Sequence, residues 1–300
     1  MTSRRRFLQL CGAAALASVS QVRAGAMVEK HIPSSGERLP VIGMGSWLTF
    51  DVGSLPGERA QRLRVLETFF ARGGRLIDSS PMYGRAEEVL GEGLARLGQP
   101  PQLFAASKVW TPGRWLGVQQ MEASQRLWGV ARFDLMQVHN LLDWETHLDT
   151  LREWKAAGHI RYLGVTTSHG RRHNELEQIL RSQPLDFVQL TYNLADRAAE
   201  QRLLPLARER GIAVIANRPF RGGDLFRRVR GQALPAWADE AGCRNWAQFF
   251  LRFVVSHPAV TCAIPATAQV AHMEENMGAA LTPLPDARLR ERMLRQLQSL

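Results

Sequence analysis

The feature that most constrains the fold is an alternation, repeated eight times, between a short apolar run and a longer stretch of helical periodicity. The runs are apolar along their whole length, which favours strands buried on both faces of a parallel sheet. Eight right-handed crossovers can close such a sheet. The sequence therefore predicts an α/β protein with a single (β/α)₈ TIM barrel. The candidate strands, in order, are VIGMG, RLIDSS, LFAASKV, FDLMQVHN, IRYLGVTT, LDFVQLTYN, IAVIANRPF and TCAIPA.

Signals at the segment ends support this architecture. Several predicted helices end at a glycine, where a left-handed cap belongs; these are Gly74, Gly98, Gly158 and Gly211. A β-hairpin is predicted from Met27 to Pro40, with its turn at residues 34–36. One barrel domain is expected over residues 27–300, a length close to the roughly 250 residues typical of this fold. The alternative is a doubly wound open sheet, which would normally carry GxGxxG after its first strand, where this sequence reads GMGSW.

The N-terminal 26 residues read as a targeting signal. Three arginines at positions 4–6 precede an uncharged stretch over residues 7–22, and the small residues Ala24 and Ala26 follow. This order is typical of a secretory signal, and the arginines resemble a twin-arginine (Tat) signal. We expect cleavage after Ala26 or Ala24, passage through the Tat translocase and a periplasmic location. The alternative is a basic leader without a targeting role. The apolar stretch falls short of the roughly 20 residues that a permanent membrane span needs.

The formal charge of +10 does not indicate a nucleic-acid partner. Part of the excess lies in the leader, and the other arginines alternate with glutamates on predicted helix faces, without a basic stripe and stacking aromatics. Only three of the 38 basic residues are lysines, and Lys108 is the one within an apolar strand. After the leader, Cys243 and Cys262 are the remaining cysteines; the sequence leaves open whether they pair.

Four polar residues stand at or just after consecutive predicted strands: Asp78, Tyr83, Lys108 and His139. In a (β/α)₈ barrel the active site lies at the C-terminal ends of the strands, so one mouth could hold all four. An ammonium lowers the pKa of a neighbouring phenol, and a carboxylate keeps a buried ammonium charged. Singly, each residue also suits a structural role as a helix cap, a strand-end lysine or a core histidine. A metal-dependent hydrolase would need paired histidines, and neither HxH nor HxxEH occurs.

From about Leu39 to Ala280 the chain resembles the aldo-keto reductase superfamily. The motifs that carry the resemblance are LPVIGMGSW, RLIDSSPMYGRAEEVLGEGL, SKVW, QVHN and HIRYLGV. The resemblance implies an NAD(P)H-dependent oxidoreductase that moves hydride between nicotinamide C4 and a carbonyl or alcohol substrate, without a metal. It makes Tyr83 the general acid/base, Asp78 and Lys108 its tuning pair, and His139 the residue that orients the aldehyde or ketone.

The resemblance also implies a cofactor site and a substrate pocket. Thr166, Thr167 and Gln189 would meet the carboxamide, although the family usually has Asn where Thr167 stands. The basic residues that usually grip the 2′-phosphate are missing near Ala266–His272, and Arg218 or Arg221 could replace them, so NADP(H) is favoured over NAD(H). Trp47, Met82 and Trp110 would wall the pocket, or else pack around the rim. The remaining expected cofactor contacts are Gly45, Ser46, Asn217, Pro219, Phe220, Ile264, Ala266, Thr267, Glu275 and Asn276.

A second class of function stays open at this point. An exported protein would meet little free nicotinamide cofactor, so the same fold could serve as a nucleotide-binding sensor or accessory protein with little turnover. The sequence does not fix the substrate, the direction of reaction or the oligomeric state.

Overall fold

The computed structural model describes residues 26–281 and 283–299, and the predicted signal segment therefore lies outside the described residues except for Ala26. The hairpin is present: β1 (Glu29–His31) and β2 (Arg38–Pro40) pair antiparallel. The remaining strands pair in parallel, each with its neighbours in sequence. They are β3 (Met44–Gly45), β4 (Leu76–Asp78), β5 (Phe104–Val109), β6 (Phe133–Val138), β7 (Ile160–Thr166), β8 (Phe187–Thr191), β9 (Ala213–Asn217) and β10 (Cys262–Ala263).

Parallel bridges between Ile42 and Ala263 and between Gly45 and Ala266 join the first and last strands of this sheet. The predicted (β/α)₈ barrel is thus confirmed, with a short first strand and a short last strand at the point of closure. The helices flank the barrel: α1 (Pro56–Ala71), α2 (Ala86–Arg96), α3 (Arg114–Trp128), α4 (Trp144–Ala156), α5 (His173–Ser182), α6 (Leu203–Glu209), α7 (Asp224–Arg228), α8 (Trp246–Val255), α9 (Val270–Gly278) and α10 (Ala287–Gln298).

Local signals explain several helix boundaries. Pro56 opens α1, and the side chains of Asn245 and Asp286 accept backbone N–H bonds at the starts of α8 and α10. One predicted cap is wrong: after α1 it is Gly73, with φ +83°, that takes the left-handed conformation. Gly74 is required for a different reason, because a β-carbon there would lie 2.3 Å from the Phe69 ring.

Two layers of apolar side chains hold the barrel together. The larger one lies between the strands and the helices. The smaller one fills the barrel interior, and Ile32 and Leu39 of the hairpin join it, so the hairpin closes the end of the barrel at which the strands begin. The active site can therefore form only at the opposite end, where the strands end and the loops leave the barrel.

Two further observations answer questions raised by the sequence. Cys243 and Cys262 are buried free thiols, and burial raises the pKa of each to about 12. Within residues 26–281 and 283–299, no helix has the length and apolarity needed to cross a bilayer.

Candidate active site

The four polar residues at the strand ends meet at the C-terminal mouth of the barrel. Asp78 ends β4, Lys108 lies in β5, His139 follows β6, and Tyr83 stands in the turn between β4 and α2. The Lys108 ammonium donates to Asp78 Oδ2 at 2.6 Å and lies 5.0 Å from the centroid of the Tyr83 ring. The Tyr83 ring meets the His139 ring edge to face, with 5.8 Å between centroids. A phenol, an ammonium and an imidazole thus face one space.

The Asp78 carboxylate is fully engaged by neighbouring donors. Besides Lys108, it accepts hydrogen bonds from Gln137 Nε2 at 3.1 Å and from Gln189 Nε2 at 2.9 Å, both on Oδ1. Gln189, expected at the carboxamide, therefore has its own amide nitrogen directed at Asp78. Sequence reasoning missed Gln137, although it lies two residues before His139 and alternation along β6 directs both side chains to the same side.

The electrostatics of Tyr83 differ from the expectation of a lowered pKa. Burial raises the pKa of Tyr83; the Lys108 charge lowers it, the Asp78 charge raises it, and the net direction is upward. Burial also opposes the charge on Lys108, but Asp78 and Tyr83 outweigh burial, and the pKa of Lys108 is raised. The mouth therefore holds a protonated phenol beside a permanently charged ammonium.

His139 is held neutral and in a defined orientation. Burial and then the Lys108 charge lower its pKa to about 2. Ser80 Oγ lies 2.8 Å from His139 Nδ1 and accepts a long hydrogen bond of 3.4 Å from the Met82 N–H. When Ser80 donates its proton to Nδ1, the imidazole proton lies on Nε2, the arrangement used in the proposal below. Sequence reasoning did not single out Ser80, which stands two residues after Asp78.

The turn that carries Tyr83 is fixed by backbone contacts. Its N–H donates to Ser80 O at 3.0 Å, and Asp51 Oδ1 accepts the Arg85 N–H at 2.9 Å. Gly84 has φ +57°, and a β-carbon there would lie 2.3 Å from Asp51 Oδ1. Glycine after Tyr83 thus provides both the conformation and the space for the Asp51 carboxylate.

Residues expected at a cofactor gather at the ends of β7, β8 and β9. Asn217 Nδ2 donates to Thr167 O at 2.9 Å, while Asn217 Oδ1 accepts from Thr191 Oγ1 at 2.7 Å. Thr166 Oγ1 accepts the Asn140 N–H at 3.0 Å. Thr167 Oγ1 and Asn276 Nδ2 are buried and have no hydrogen-bond partner among the residues described. Buried polar atoms normally find partners, so these two fit a polar ligand that lies along this side of the mouth.

The remaining residues expected at the cofactor differ in their surroundings. The Ser46 hydroxyl is buried and donates within the protein, to Ser79 Oγ at 2.8 Å and Asp78 O at 3.0 Å. Gly45 fits tightly, since a β-carbon there would lie 3.0 Å from Ile264 O. Ile264 belongs to the apolar layer of the barrel interior. Ala266, Thr267, Glu275 and Asn276 lie after β10 and along α9, with Thr267 Oγ1 accepting the Gln269 N–H.

The two candidate arginines differ in their surroundings. Arg221 lies 3.4 Å from both Asp196 and Asp224. Arg218 forms no such pair within the described part of the chain; its guanidinium lies 5.8 Å from the centroid of a Trp47 ring. Pro219 is buried, and Phe220 packs against Phe226 with 4.9 Å between ring centroids. The Asp196 charge acts on both arginines, but among the described residues only Arg221 lies within ion-pair distance of it.

The expected pocket walls are open to solvent. Trp47, Met82 and Trp110 are 42%, 39% and 41% exposed, large values for side chains of this size. Such exposure fits walls of an open cleft better than packing around a rim. In the described ranges, no group of three His, Cys, Asp or Glu side chains is arranged to hold a metal ion.

Comparison with known proteins identifies the family of the chain. The aldo/keto reductase family profile matches residues 41–292. The chain is 30% identical over 271 residues to methylglyoxal reductase YeaE of Escherichia coli, covering 88% of this chain and 93% of that one. An aldo-keto reductase from Klebsiella pneumoniae, solved in complex with NADPH, superposes with a TM-score of 0.76 at 26% identity, covering 90% of this chain and 96% of that one. Another structure from the same organism, with NADP and acetate, gives 0.72 at 25% identity over 87% and 93%. The chain therefore belongs to the aldo/keto reductase family and is an oxidoreductase.

Proposed function

We propose that this protein is an NADP(H)-dependent reductase of aldehydes and ketones, with Tyr83 as its general acid and base. The observation that carries the proposal is the Lys108 ammonium, buried against Asp78 and placed beneath the ring of Tyr83. A buried ion pair costs desolvation energy and is weak evidence for stability. Its position at the mouth, beside the Tyr83 phenol and a neutral imidazole, suits proton transfer.

The polar side chains divide the reaction between them. Nicotinamide, when bound, supplies the hydride that reduces the carbonyl carbon. Thr166, Thr167 and Asn217 would hold its carboxamide. His139 donates from Nε2 to the carbonyl oxygen and fixes the orientation of the substrate.

Tyr83 then gives its proton to the same oxygen. Its raised pKa keeps the phenol protonated at neutral pH, so the acid is ready before the substrate binds. As negative charge grows on the substrate oxygen, the proton leaves Tyr83, and the Lys108 ammonium stabilises the phenolate that remains. Alcohol oxidation uses the same groups in reverse, with the phenolate as base.

Arg218 is the proposed contact for the 2′-phosphate. A phosphate needs charge-assisted donors to offset its desolvation, and of the two arginines only Arg221 is held in ion pairs within the described residues. The NADP-containing relatives from Klebsiella support the choice of NADP(H). The printed activity of the Escherichia coli relative suggests small carbonyl compounds such as methylglyoxal as first substrates to test.

The test is a titration of the purified chain with NADPH and NADH by fluorescence, followed by mixing with methylglyoxal and a panel of aldehydes and ketones. We expect tighter binding of NADPH, oxidation of the cofactor, and loss of about 10²–10⁴-fold in turnover for Tyr83→Phe with cofactor affinity unchanged. An active Tyr83→Phe variant would overturn the assignment of the acid. Tight binding without turnover would instead favour a nucleotide-binding sensor.

We further propose that residues 1–26 direct export through the Tat translocase to the periplasm. The support is the order of basic, apolar and small residues in the sequence. Expression in a bacterium with and without a functional Tat system, followed by fractionation, tests this. A chain that keeps its full length and stays in the cytoplasm in both strains would contradict it, as would a cleavage site away from Ala24 and Ala26.

A further inference from the structure

A buried carboxylate stands directly behind the wall of the active site. Glu87, in the first turn of α2, is 2% exposed and forms no ion pair in the part of the chain that the structure describes. Its three hydrogen-bond donors are all neutral: Ser107 Oγ at 2.6 Å, Ser124 Oγ at 2.7 Å and the Trp128 indole N–H at 3.1 Å. Burial raises the pKa of Glu87, and an aliphatic residue would fill the same space without the cost of burying a carboxyl group.

Glu87 links the turn that carries Tyr83 to the strand that carries Lys108. Ser107 immediately precedes Lys108 on β5, and Glu87 lies four residues after Tyr83, at the start of the helix that follows the Tyr83 turn. The Glu87–Ser107 hydrogen bond therefore joins the element that carries the acid to the strand that carries its ammonium. Ser124 and Trp128, both on α3, hold the carboxylate from the other side.

The surrounding packing gives this connection little freedom. One turn after Glu87, a β-carbon on Gly91 would lie 1.7 Å from the Leu127 carbonyl oxygen, so α2 and α3 approach as closely as backbones can. On the other side of Tyr83, the Asp51 carboxylate holds the Arg85 N–H. Between these two anchors, the Glu87–Ser107 hydrogen bond adds a side-chain link from the start of α2 to β5.

We infer that Glu87 is a positioning residue, which holds Tyr83 against the Lys108 ammonium through its hydrogen bond to Ser107. This inference rests on the proposed role of Tyr83 as general acid. The ammonium stabilises the phenolate only over a short distance, so a small displacement of the turn weakens the acid without touching the substrate.

Two serines offer a matched pair for the test. Ser107→Ala and Ser124→Ala each remove one hydroxyl bonded to Glu87, but only Ser107 lies on the strand of Lys108. We expect Ser107→Ala to lower kcat by about tenfold with KM unchanged, and to move the basic limb of the kcat profile to higher pH, since Tyr83 placed farther from Lys108 loses its proton less readily. Ser124→Ala should stay within about twofold of the wild type at a similar loss of stability.

Glu87→Ala and Glu87→Gln complete the series. Removal of the side chain should reproduce the Ser107→Ala profile more strongly, while glutamine, which keeps an acceptor for Ser107, should restore most of kcat. If Glu87→Ala fails to fold, the serine pair and Glu87→Gln still decide the matter. Equal kcat values and pH profiles for the two serine variants would overturn the inference.

A measurement without substrate separates this inference from the proposed function. The chain has three tyrosines, so ¹³C labelling at Cζ gives three resonances, and Tyr83→Phe identifies one of them. We expect Ser107→Ala to move the Tyr83 resonance or its titration, and Ser124→Ala to leave both unchanged. If the wild type reduces no carbonyl compound but this difference is present, the proposed function fails while the positioning role stands. A Tyr83 resonance unchanged in Ser107→Ala contradicts the positioning role alone.

Discussion

The two ends of the barrel contain the same kinds of group and use them differently. At the closed end, Tyr162 lies with its hydroxyl 2.9 Å from the Glu37 carboxylate, which also pairs with Arg75 at 2.9 Å and with Arg161. At the open end, Tyr83 lies near the Asp78 carboxylate and the Lys108 ammonium. Each end thus has a tyrosine, a carboxylate and a cation.

The difference lies in which groups donate hydrogen bonds to the carboxylate. Glu37 accepts directly from Tyr162, and the hydrogen bonds from Tyr162, Arg161 and Arg75 outweigh burial and lower the pKa of Glu37. The oxygens of Asp78 are taken by Lys108, Gln137 and Gln189, and the Tyr83 proton is not given to a carboxylate. At the closed end the Tyr162 hydroxyl bonds the hairpin to the barrel, whereas at the mouth no carboxylate of the described residues accepts the Tyr83 proton. Four experiments test this difference between the two ends of the barrel.

The largest effect should come from Lys108→Met. The substitution leaves Asp78 as a buried carboxylate without a cation, so we expect a loss of about 3–5 kcal/mol in the free energy of unfolding, measured by denaturant titration. The double variant Asp78→Asn, Lys108→Met should recover most of this stability but none of the turnover. At the closed end, Arg161→Met leaves Glu37 paired with Arg75 near solvent and should cost about 1 kcal/mol or less. Equal losses at the two ends would contradict the distinction.

The next effect concerns pH. His139 has a folded-state pKa of about 2, below its ordinary value near 6.5, so the unfolded chain takes up a proton in this interval that the folded chain refuses. The contribution of His139 to the free energy of unfolding is complete above its pKa in the unfolded chain. It is lost as the pH falls below that pKa, by about 1.4 kcal/mol for each pH unit. The free energy of unfolding, measured by heat or denaturant at a series of pH values from neutral to acidic, should therefore fall more steeply with pH in the wild type than in His139→Gln. The same pH dependence in the two proteins would mean that the environment of His139 is polar and does not lower its pKa.

Ser80→Ala should have a smaller effect, confined to the mouth. Without the Ser80 hydroxyl, the proton is no longer held on His139 Nε2. We expect a loss of about tenfold in kcat/KM, at the lower end of the effects that a misplaced hydrogen-bond donor has on rate. Ser79→Ala is the control, because Ser79 Oγ contacts Ser46 and not His139. In ¹⁵N spectra, Ser80→Ala should mix the two imidazole tautomers. A single Nε2–H tautomer in the variant would count against the role of Ser80.

The smallest effect should come from Tyr162→Phe. Loss of the hydroxyl that contacts Ser35 Oγ and the partly exposed Glu37 carboxylate should cost about 1 kcal/mol of stability. Turnover should stay at the wild-type value because this tyrosine lies at the closed end. Reduced turnover at unchanged stability would mean that the two ends are coupled through the barrel.

Much of the site could be predicted from strand-end positions alone. Asp78, Lys108 and His139 each close an apolar strand, and in a closed parallel barrel all strand ends meet at one mouth. The residues that were missed act through contacts between distant parts of the chain. Gln137 and Glu87 look like an ordinary strand residue and an ordinary helix residue until the fold brings them to Asp78 and Ser107.

The expectation for the pKa of Tyr83 was wrong in direction for a related reason. Its charged neighbours can be named from the sequence, but the degree of burial cannot, and burial has the largest influence on this phenol. The helix cap at Gly73, predicted at Gly74, was likewise decided by tertiary packing. Two adjacent glycines were available, and only the packing of Phe69 fixes which of them turns the chain.

The eight strand–helix repeats, the closing hairpin and the types of group at each strand end follow from the sequence, because they depend on local periodicity and on the direction of parallel strands. Which carboxylate each cation and each hydroxyl meets depends on the folded arrangement. Protonation states depend on desolvation and on distances of a few ångströms between segments far apart in the chain. That is why two similar sets of tyrosine, carboxylate and cation form a structural contact at one end of the barrel and, at the other, the site for which we propose proton transfer.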